Sequence, residues 1–527
     1  DRPARHRRCR LGIGTMPPTP IAAWFLERTG ATDGYNQSGV LRTPAGADED
    51  SLAAALQRLL DHHDMLRLRT GRTPDGDVVL EALPPGTVTA RRRLTRIDVS
   101  GLGADAVRAA LSEAGEGARE RLRPGEGNVF EAVWADAGPH ARGRLLLVVH
   151  HLAVDAVSWR ILAADLATAW QVVTGAAPDE KGLTAAALPA VATPYRHWAQ
   201  LLATQAHSPA REAELALWET VTSTPDPPLG RRPLDPGLDT ADRTSTLVTH
   251  LPTAATTSLL TRVPAAFHAG VDDVLLTGLA LAVRSWRAGQ DPGDGTGRAP
   301  SGVLLHLESH GREQISDDID LSRTVGWFTS LYPVLLDPGP LDARNPDRFD
   351  AALVDRALKR VKEQLRGVPD HGVGFGMLRH CNPAVRSRLA AAPEPQIGFN
   401  YLGRYTAPSE AADGGTGAGA DWEVLLDGGG PRSQDPDMPV HHVIDINAHT
   451  EDRADGPHLV TRWTWPGDLL KEEDVEALSE AFTRALHAIA EHAGRPDAGG
   501  YTPSDLPLVS LDQAQIDRLQ NKWGGRK

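Results

Sequence analysis

Cysteine is nearly missing: Cys9 and Cys381 are the two thiols in 527 residues. That excludes a disulfide framework and any zinc cluster built on cysteine pairs. Long apolar runs are missing too. None reaches the length that a bilayer demands, and the basic start DRPARHRRCR runs into GIGTMPPTP rather than an apolar segment, so it is not a secretory signal. The cytoplasm is the expected location, with no membrane as a partner. Positive charge is in deficit, 55 Lys and Arg against 69 Asp and Glu, and the resulting −14 argues against nucleic acid as a partner. Three motifs that would each name a chemistry are also absent: a P-loop, a dinucleotide-binding glycine pattern after a strand, and GxSxG.

What the chain has is an ordinary globular composition, 41% hydrophobic and 24% charged, over a length too great for one core. Two lobes are therefore expected. Residues 144–173, RLLLVVHHLAVDAVSWRILAADLATAWQVV, organise the first. Arg144 to Val149 is an apolar run that reads as a buried strand, and from Asp155 onward Val157, Ile161, Leu162, Leu166, Ala169, Trp170 and Val173 mark a helical face. Asp155 sits at the N-cap position and Gly175 just past the end. His150 and His151 thus stand between a strand end and a helix start. Neighbours along a strand face opposite sides, so one of them faces a given cavity. Spacing alone leaves open whether that one is a structural histidine or a general base. The nearby helix N-terminus disfavours a protonated ring. Two histidines pointing apart, with no third ligand at helical spacing, do not make a metal site.

Elsewhere, helices are read at 50–62, 104–120, 209–221, 254–266, from Asp272 to Gly289, at 347–366 and at 468–492, with a segment at 193–206 that contains Trp198. Strands are read at 65–69, 78–82, 91–98, 129–135, 244–251, 301–307 and 396–404, with a hairpin of 442–448 and 458–466. The Pro-, Gly- and Asp-rich stretch 222–243 is the expected crossover between two halves, and the Gly- and Ala-rich tract 407–438 a mobile loop. Alternating strands and helices in each half point to two α/β sandwich lobes. ESHGRE (308–313) follows a buried strand; Glu308 leaves that strand first and is the better inward carboxylate, whereas Glu313 reads as solvated. Two look-alikes are set aside. His62-His63-Asp64 reads as a helix end, and His441-His442 opens a strand with Asp445 one residue too close to repeat the first motif.

HHLAVDAVSW resembles the HHxxxDGxSW signature of the condensation-domain superfamily of nonribosomal peptide synthetases. ESHGRE, DLSRTVGWFTSLYP, GFGMLRH and QIGFNYLGR resemble, in order and spacing, the motifs of its epimerization domains. TPIAAWFLE and HDMLRLR resemble the superfamily's two N-terminal motifs, and LPLVSLDQAQIDRL resembles the usual exit from an epimerization domain. The resemblance implies two chloramphenicol-acetyltransferase-like lobes arranged as a V with a tunnel at the interface. The N-terminal lobe would be 17–221, the crossover 222–243 and the C-terminal lobe 244–519, between a linker from an upstream carrier domain at 1–16 and an exit linker at 520–527.

It also implies an isomerase that removes and returns the Cα proton of a carrier-bound aminoacyl or peptidyl thioester, giving an L/D mixture. By motif position His151 and Glu308 are the catalytic pair; His150, Trp159, Asn400 and Tyr401 line the tunnel; Asp155 is structural. The substrate would ride on the phosphopantetheine arm of an upstream peptidyl carrier domain, with a condensation domain downstream, no cofactor of its own and no metal. A neutral His and a Glu raised by burial are expected to lie close enough in pKa to exchange roles. Ala156 and Ser309 stand where the family has glycine; each adds a side chain beside the tunnel, and each would strain a loop that needed φ > 0. Two other readings are a peptide-bond-forming condensation domain and a non-catalytic docking module of the same fold. ESHGRE and FNYLGR weigh against the first, and retention of both His151 and Glu308 against the second.

Overall fold

The computed structural model describes residues 12–28, 30–175, 187–290, 302–342, 344–406, 420–425, 429–496, 498–509 and 511–524. Most of the expected 1–16 linker and the end of the 520–527 linker lie outside these residues. The first half holds strands β1 (Gly14–Met16), β2 (Asn36–Ala45), β3 (Leu68–Arg72), β4 (Val78–Ala82), β5 (Leu94–Asp98), β6 (Phe130–Asp136) and β7 (Arg142–His150). The second holds β8 (Thr244–Leu251), β9 (Val303–Ser309), β10 (Ser330–Leu336), β11 (Ile397–Thr406), β12 (Val424–Leu425), β13 (Ile444–Arg453) and β14 (Gly456–Pro466). Among the described residues they form a three-stranded sheet β1-β4-β3, a five-stranded sheet β12-β2-β7-β6-β5 and a six-stranded sheet β10-β9-β11-β13-β14-β8.

Two α/β lobes result. In the first, β7 is covered on both faces, which is why its sequence is a continuous apolar run rather than an alternation. Leu145, Leu147 and Val149 pack with Leu52, Leu56 and Leu59 of helix Glu49–His62 and with Ile161, Leu162 and Leu166 of helix Ala156–Thr174. Leu146 and Val148 pack on the opposite face against Leu111 and Ala118 of helix Ala104–Glu120. In the second lobe, helices Val271–Gln290 and Glu472–His492 cover the six-stranded sheet with Leu276, Leu279, Phe482 and Leu486.

Local patterns found several elements at their observed limits: β4, β8 and helix Ala104–Glu120 among them. The strand expected at 65–69 starts only at Leu68, because Asp64–Arg67 form a tight turn whose buried Arg67 donates to Leu83 O at 2.9 Å. β2 was not read at all. Its sequence, NQSGVLRTPA, mixes Gly, Pro and polar residues, so no alternation stands out, yet it pairs with β7 from Asn36↔His150 to Ala45↔Arg142.

Two long excursions tie the lobes together. Between β9 and β10 the chain leaves its own sheet, and Ile319, Leu321, Val325, Trp327 and Phe328 join the core of the first lobe. Part of the tract 407–438 does the same. Residues 407–419 and 426–428 lie outside the described residues, but β12 adds to the edge of β2, and Trp422 and Met438 are buried in the first lobe's core. Asp435 accepts from Gly34 N at 2.8 Å and pairs with Arg119. Those described parts of the tract are packed, because each hydrogen-bonds to the first lobe. No single helix among the described residues is long and apolar enough to cross a membrane.

Candidate active site

β7 ends at His150, and His151 opens a short turn, His151–Ala153, before the helix. The two histidines therefore part company because the strand stops between them. His150 faces inward: its Nδ1 accepts from Leu152 N at 3.2 Å and its Nε2 meets Thr32 O at 3.0 Å, so Nε2 carries the proton. It is buried, burial pushes it down to about 4, and it does not line the interlobe cavity. The expectation that His150 lines the tunnel is corrected accordingly, since both of its nitrogens are spent on backbone groups.

His151 does reach the cavity. Its backbone N–H donates to Tyr35 O at 2.9 Å, and its ring is held between Tyr35, 4.9 Å away and nearly parallel, and Trp327 at 4.3 Å. Nε2 lies 2.9 Å from Gln37 Nε2. Burial pushes His151 down to about 4, leaving it neutral near pH 7. Trp159 also departs from expectation. It does not line the cavity; its indole N–H donates to Gln37 Oε1 at 2.8 Å, and the ring lies flat over Gly39, where a side chain would meet it at 2.9 Å.

Glu308 enters from the other lobe, at the end of β9. Its side chain is solvent-accessible and lines the cavity, while the surrounding protein encloses it. Asn400 on β11 donates to Glu308 Oε2 at 2.9 Å. Burial, reinforced by the negative charge of Asp445, pushes Glu308 up to about 7, against the opposing pull of His442 and Arg28. Behind it His442 bridges His306, Nε2 to Nδ1 at 3.0 Å, and Asp445, Nδ1 to Oδ1 at 2.7 Å. His442 of the second HH pair therefore opposes the rise at Glu308, a contact that its spacing did not disclose.

The cavity between the lobes measures about 340 Å³. Gln37, His151, Asp155, Ala156 and Val157 line it from the first lobe, and Asp272, Glu308, Ser309, Asn400 and Tyr401 from the second. Tyr401 exchanges a hydrogen bond with Thr450 Oγ1 at 3.0 Å. Burial and Asp273 push Asp272 up to about 6. Ala156 and Ser309 border the space, but neither has positive φ, so neither carries the strain that glycine would relieve.

Asp155 caps the helix and joins the lobes. Its Oδ1 accepts from Ser158 N at 2.8 Å, and both of its oxygens accept from Arg312 Nη2 at 3.0 Å. Among the described residues, His62, His63 and Asp165 are grouped closely enough to hold a cation. None of them lines the cavity, and Asp165 is already paired with His63 and Arg323.

Burial acts on His151 and Glu308 in opposite directions, because one is charged when protonated and the other when ionised. The two end at about 4 and about 7. This corrects the expectation of closely matched values. In that order the pair holds one proton between them from about pH 4 to about pH 7, with His151 mostly neutral and Glu308 mostly protonated. A site so arranged can take a proton on one side of a bound group and supply one on the other. Sequence patterns did not assign Gln37, Tyr35 or Trp327 to the site, all brought to His151 by segments distant in the chain; the signals present were the unassigned NQS at 36–38 and the tryptophan of DLSRTVGWFTSLYP.

A family model described as "Condensation domain" matches residues 13–505. Over 507 residues the chain is 36% identical to a linear gramicidin synthase of Brevibacillus parabrevis, covering 96% of this chain and 6% of that protein. Over 523 residues it is 34% identical to chondramide synthase cmdD of Chondromyces crocatus, covering 97% of this chain and 12% of that protein. The chain thus spans a small fraction of these multidomain relatives. Among solved structures, the epimerization domain from the third module of tyrocidine synthetase B aligns with a TM-score of 0.73 and 26% identity, covering 91% of this chain and 98% of that one.

Proposed function

The chain belongs to the condensation-domain family, with two chloramphenicol-acetyltransferase-like lobes set as a V around a tunnel, and on that premise we propose that it epimerises a carrier-bound thioester at Cα. The observation that carries the reading is a single cavity into which one lobe brings His151 and the other Glu308, with their proton affinities pushed apart. Inverting a stereocentre needs proton-transfer groups on both faces of one carbon, and two lobes can supply what one cannot. The ESHGRE and FNYLG segments contribute Glu308 and its partner Asn400, which favours epimerization over condensation.

Neutral His151 takes the Cα proton, whose acidity comes from the thioester carbonyl. Protonated Glu308 then returns a proton to the opposite face of the enolate. The pair is left as imidazolium and carboxylate, and proton transfer back to Glu308 resets it downhill. The opposite enantiomer uses the same pair in the reverse order. The aminoacyl or peptidyl group arrives on the phosphopantetheine arm of a peptidyl carrier domain upstream, in the cytoplasm, and a condensation domain downstream takes the D form. These steps call for no other cofactor.

The test is deuterium wash-in at Cα from D₂O with one loaded carrier and no acceptor. Epimerization incorporates deuterium; a condensation domain or a docking module leaves Cα–H intact. The pH profile follows from the shared proton. Both directions require one proton on the pair, so the rate is flat between about pH 4 and pH 7 and lost as Glu308 ionises above about 7. Inversion at pH 9, read by chiral analysis of the carried group, is expected to run roughly a hundredfold below that at pH 6, from tenfold loss per unit. A profile that keeps rising past pH 8 would contradict the assignment of Glu308 as the proton donor.

A further inference from the structure

Enolisation of a thioester places negative charge on its oxygen, and neither His151 nor Glu308 is free to meet that charge while moving protons. Gln37 stands where such a donor is needed. It sits near the start of β2, lines the cavity, and is held from two sides. The Trp159 indole, which can only donate, meets Gln37 Oε1 at 2.8 Å. That contact fixes the amide so that its NH₂ faces His151, with Gln37 Nε2 2.9 Å from His151 Nε2. Gly39, two residues along the same face of β2, leaves the room Trp159 needs to lie in this position.

Two consequences follow from the direction of those hydrogen bonds. Since Gln37 donates, neutral His151 accepts at Nε2 and carries its proton on Nδ1. The backbone of His151 and Val154 lies beside the ring and favours a proton on Nδ1, and Gln37 favours the same tautomer from the Nε2 side. The lone pair that would take a Cα proton is therefore capped by the amide.

We propose that Gln37 is a catalytic residue that shifts its N–H from His151 to the thioester oxygen when substrate arrives. This rests on the epimerization reading. Cα–H and the carbonyl oxygen sit on adjacent carbons, and the 2.9 Å between the Gln37 nitrogen and His151 Nε2 suits a donor and a base that address them together. As the amide moves to the oxygen, the His151 lone pair is uncapped. The Cα–H bond breaks, its proton forms a new N–H bond at Nε2, its electron pair moves into the Cα–C bond, and the carbonyl π pair goes to the oxygen as the enolate facing Gln37. When the proton from Glu308 adds to Cα, the carbonyl re-forms, and once the Nε2 proton of His151 has passed back to Glu308 the Gln37 N–H returns to His151. One N–H thus serves the resting base and then the enolate.

The experiment compares wild type with Gln37→Met, similar in volume without a donor, and with Trp159→Phe, which leaves the amide but frees it to flip. Wash-in from D₂O on an aminoacyl carrier is followed for kcat and KM, and the His151 tautomer is read from the ¹⁵N shifts of its ring, which need no turnover. Removing one oxyanion donor costs about 10²–10³-fold in kcat, so Gln37→Met is expected to lose that much with KM within about twofold. Trp159→Phe, which loses only the orienting bond, is expected to lose less than Gln37→Met. The wild-type ring should carry its proton on Nδ1, and Gln37→Met should weaken that preference. A Gln37→Met enzyme with wild-type kcat, a loss confined to KM, or a wild-type ring protonated on Nε2 would each overturn the donor role while epimerization stood. A wild type with the Nδ1 proton that exchanges no thioester would instead overturn the epimerization reading, and the donor role with it.

Discussion

Glu308→Gln and His151→Ala are each expected to lower Cα inversion by about 10³-fold, within the range general acid–base groups contribute. Glu308→Gln is the cleaner variant. Glutamine keeps the size of the side chain and can still accept from Asn400 through its carbonyl, so the cavity stays filled and the 2.9 Å contact has a replacement. What it loses is the transferable proton, and with it the return step. His151→Ala removes the acceptor and leaves a hole between Tyr35 and Trp327, so its thermal stability must be measured beside its activity. The double variant should be scarcely slower than either single one, because two groups that share one proton act as a unit and their losses do not add. Chiral analysis of the carried group measures inversion in all three. Retained inversion in Glu308→Gln would remove Glu308 from the chemistry.

Asp155→Ala is expected to have the largest effect on stability, about 3–5 kcal/mol, read from the denaturant dependence of the folded state. The Asp155 and Arg312 side chains are 7% and 10% exposed, so removing the carboxylate leaves a buried guanidinium without its charge partner. Arg312 would keep bonds to Leu321 O and Thr324 O and its place over the Phe328 ring. The helix Ala156–Thr174 would also lose its cap, an effect of about 1 kcal/mol. Asp155→Asn separates the two, since asparagine caps as well as aspartate but carries no charge. Asp155→Ala combined with Arg312→Met should be more stable than Asp155→Ala alone, because the stranded charge is gone. If Asp155→Ala unfolded at the wild-type midpoint, the ion pair between the lobes would carry no weight in folding.

Legibility in the sequence followed the range of the interactions involved. The strand and helix around His150 and His151 could be read because apolar period, cap and stop signal all lie within 144–175. Motif position, by contrast, assigned His150 and Trp159 to a cavity that neither of them lines. Strand alternation separates two adjacent histidines only while the strand lasts, and β7 ends between them. Trp159 belongs to the same short motif as His151 yet turns to β2, because Gly39 leaves space there. β2 itself went unread, its backbone pairing with β7 being indifferent to the Gly and Pro that hide its pattern.

By itself the sequence determined the two α/β lobes, most element limits, and the nomination of His151 and Glu308, through periodicity, caps and ordered motifs. Only the tertiary structure decided what those groups are. Gln37 lies 114 residues from His151 and Asn400 lies 92 from Glu308, and each contact exists only once separate strands have paired. The separation of the two acidities, about 4 and about 7, is likewise a property of enclosure, since desolvation and the charge of Asp445 act through space. A side chain's identity is local, whereas its protonation, tautomer and partners are set by whatever the fold brings within a few ångströms.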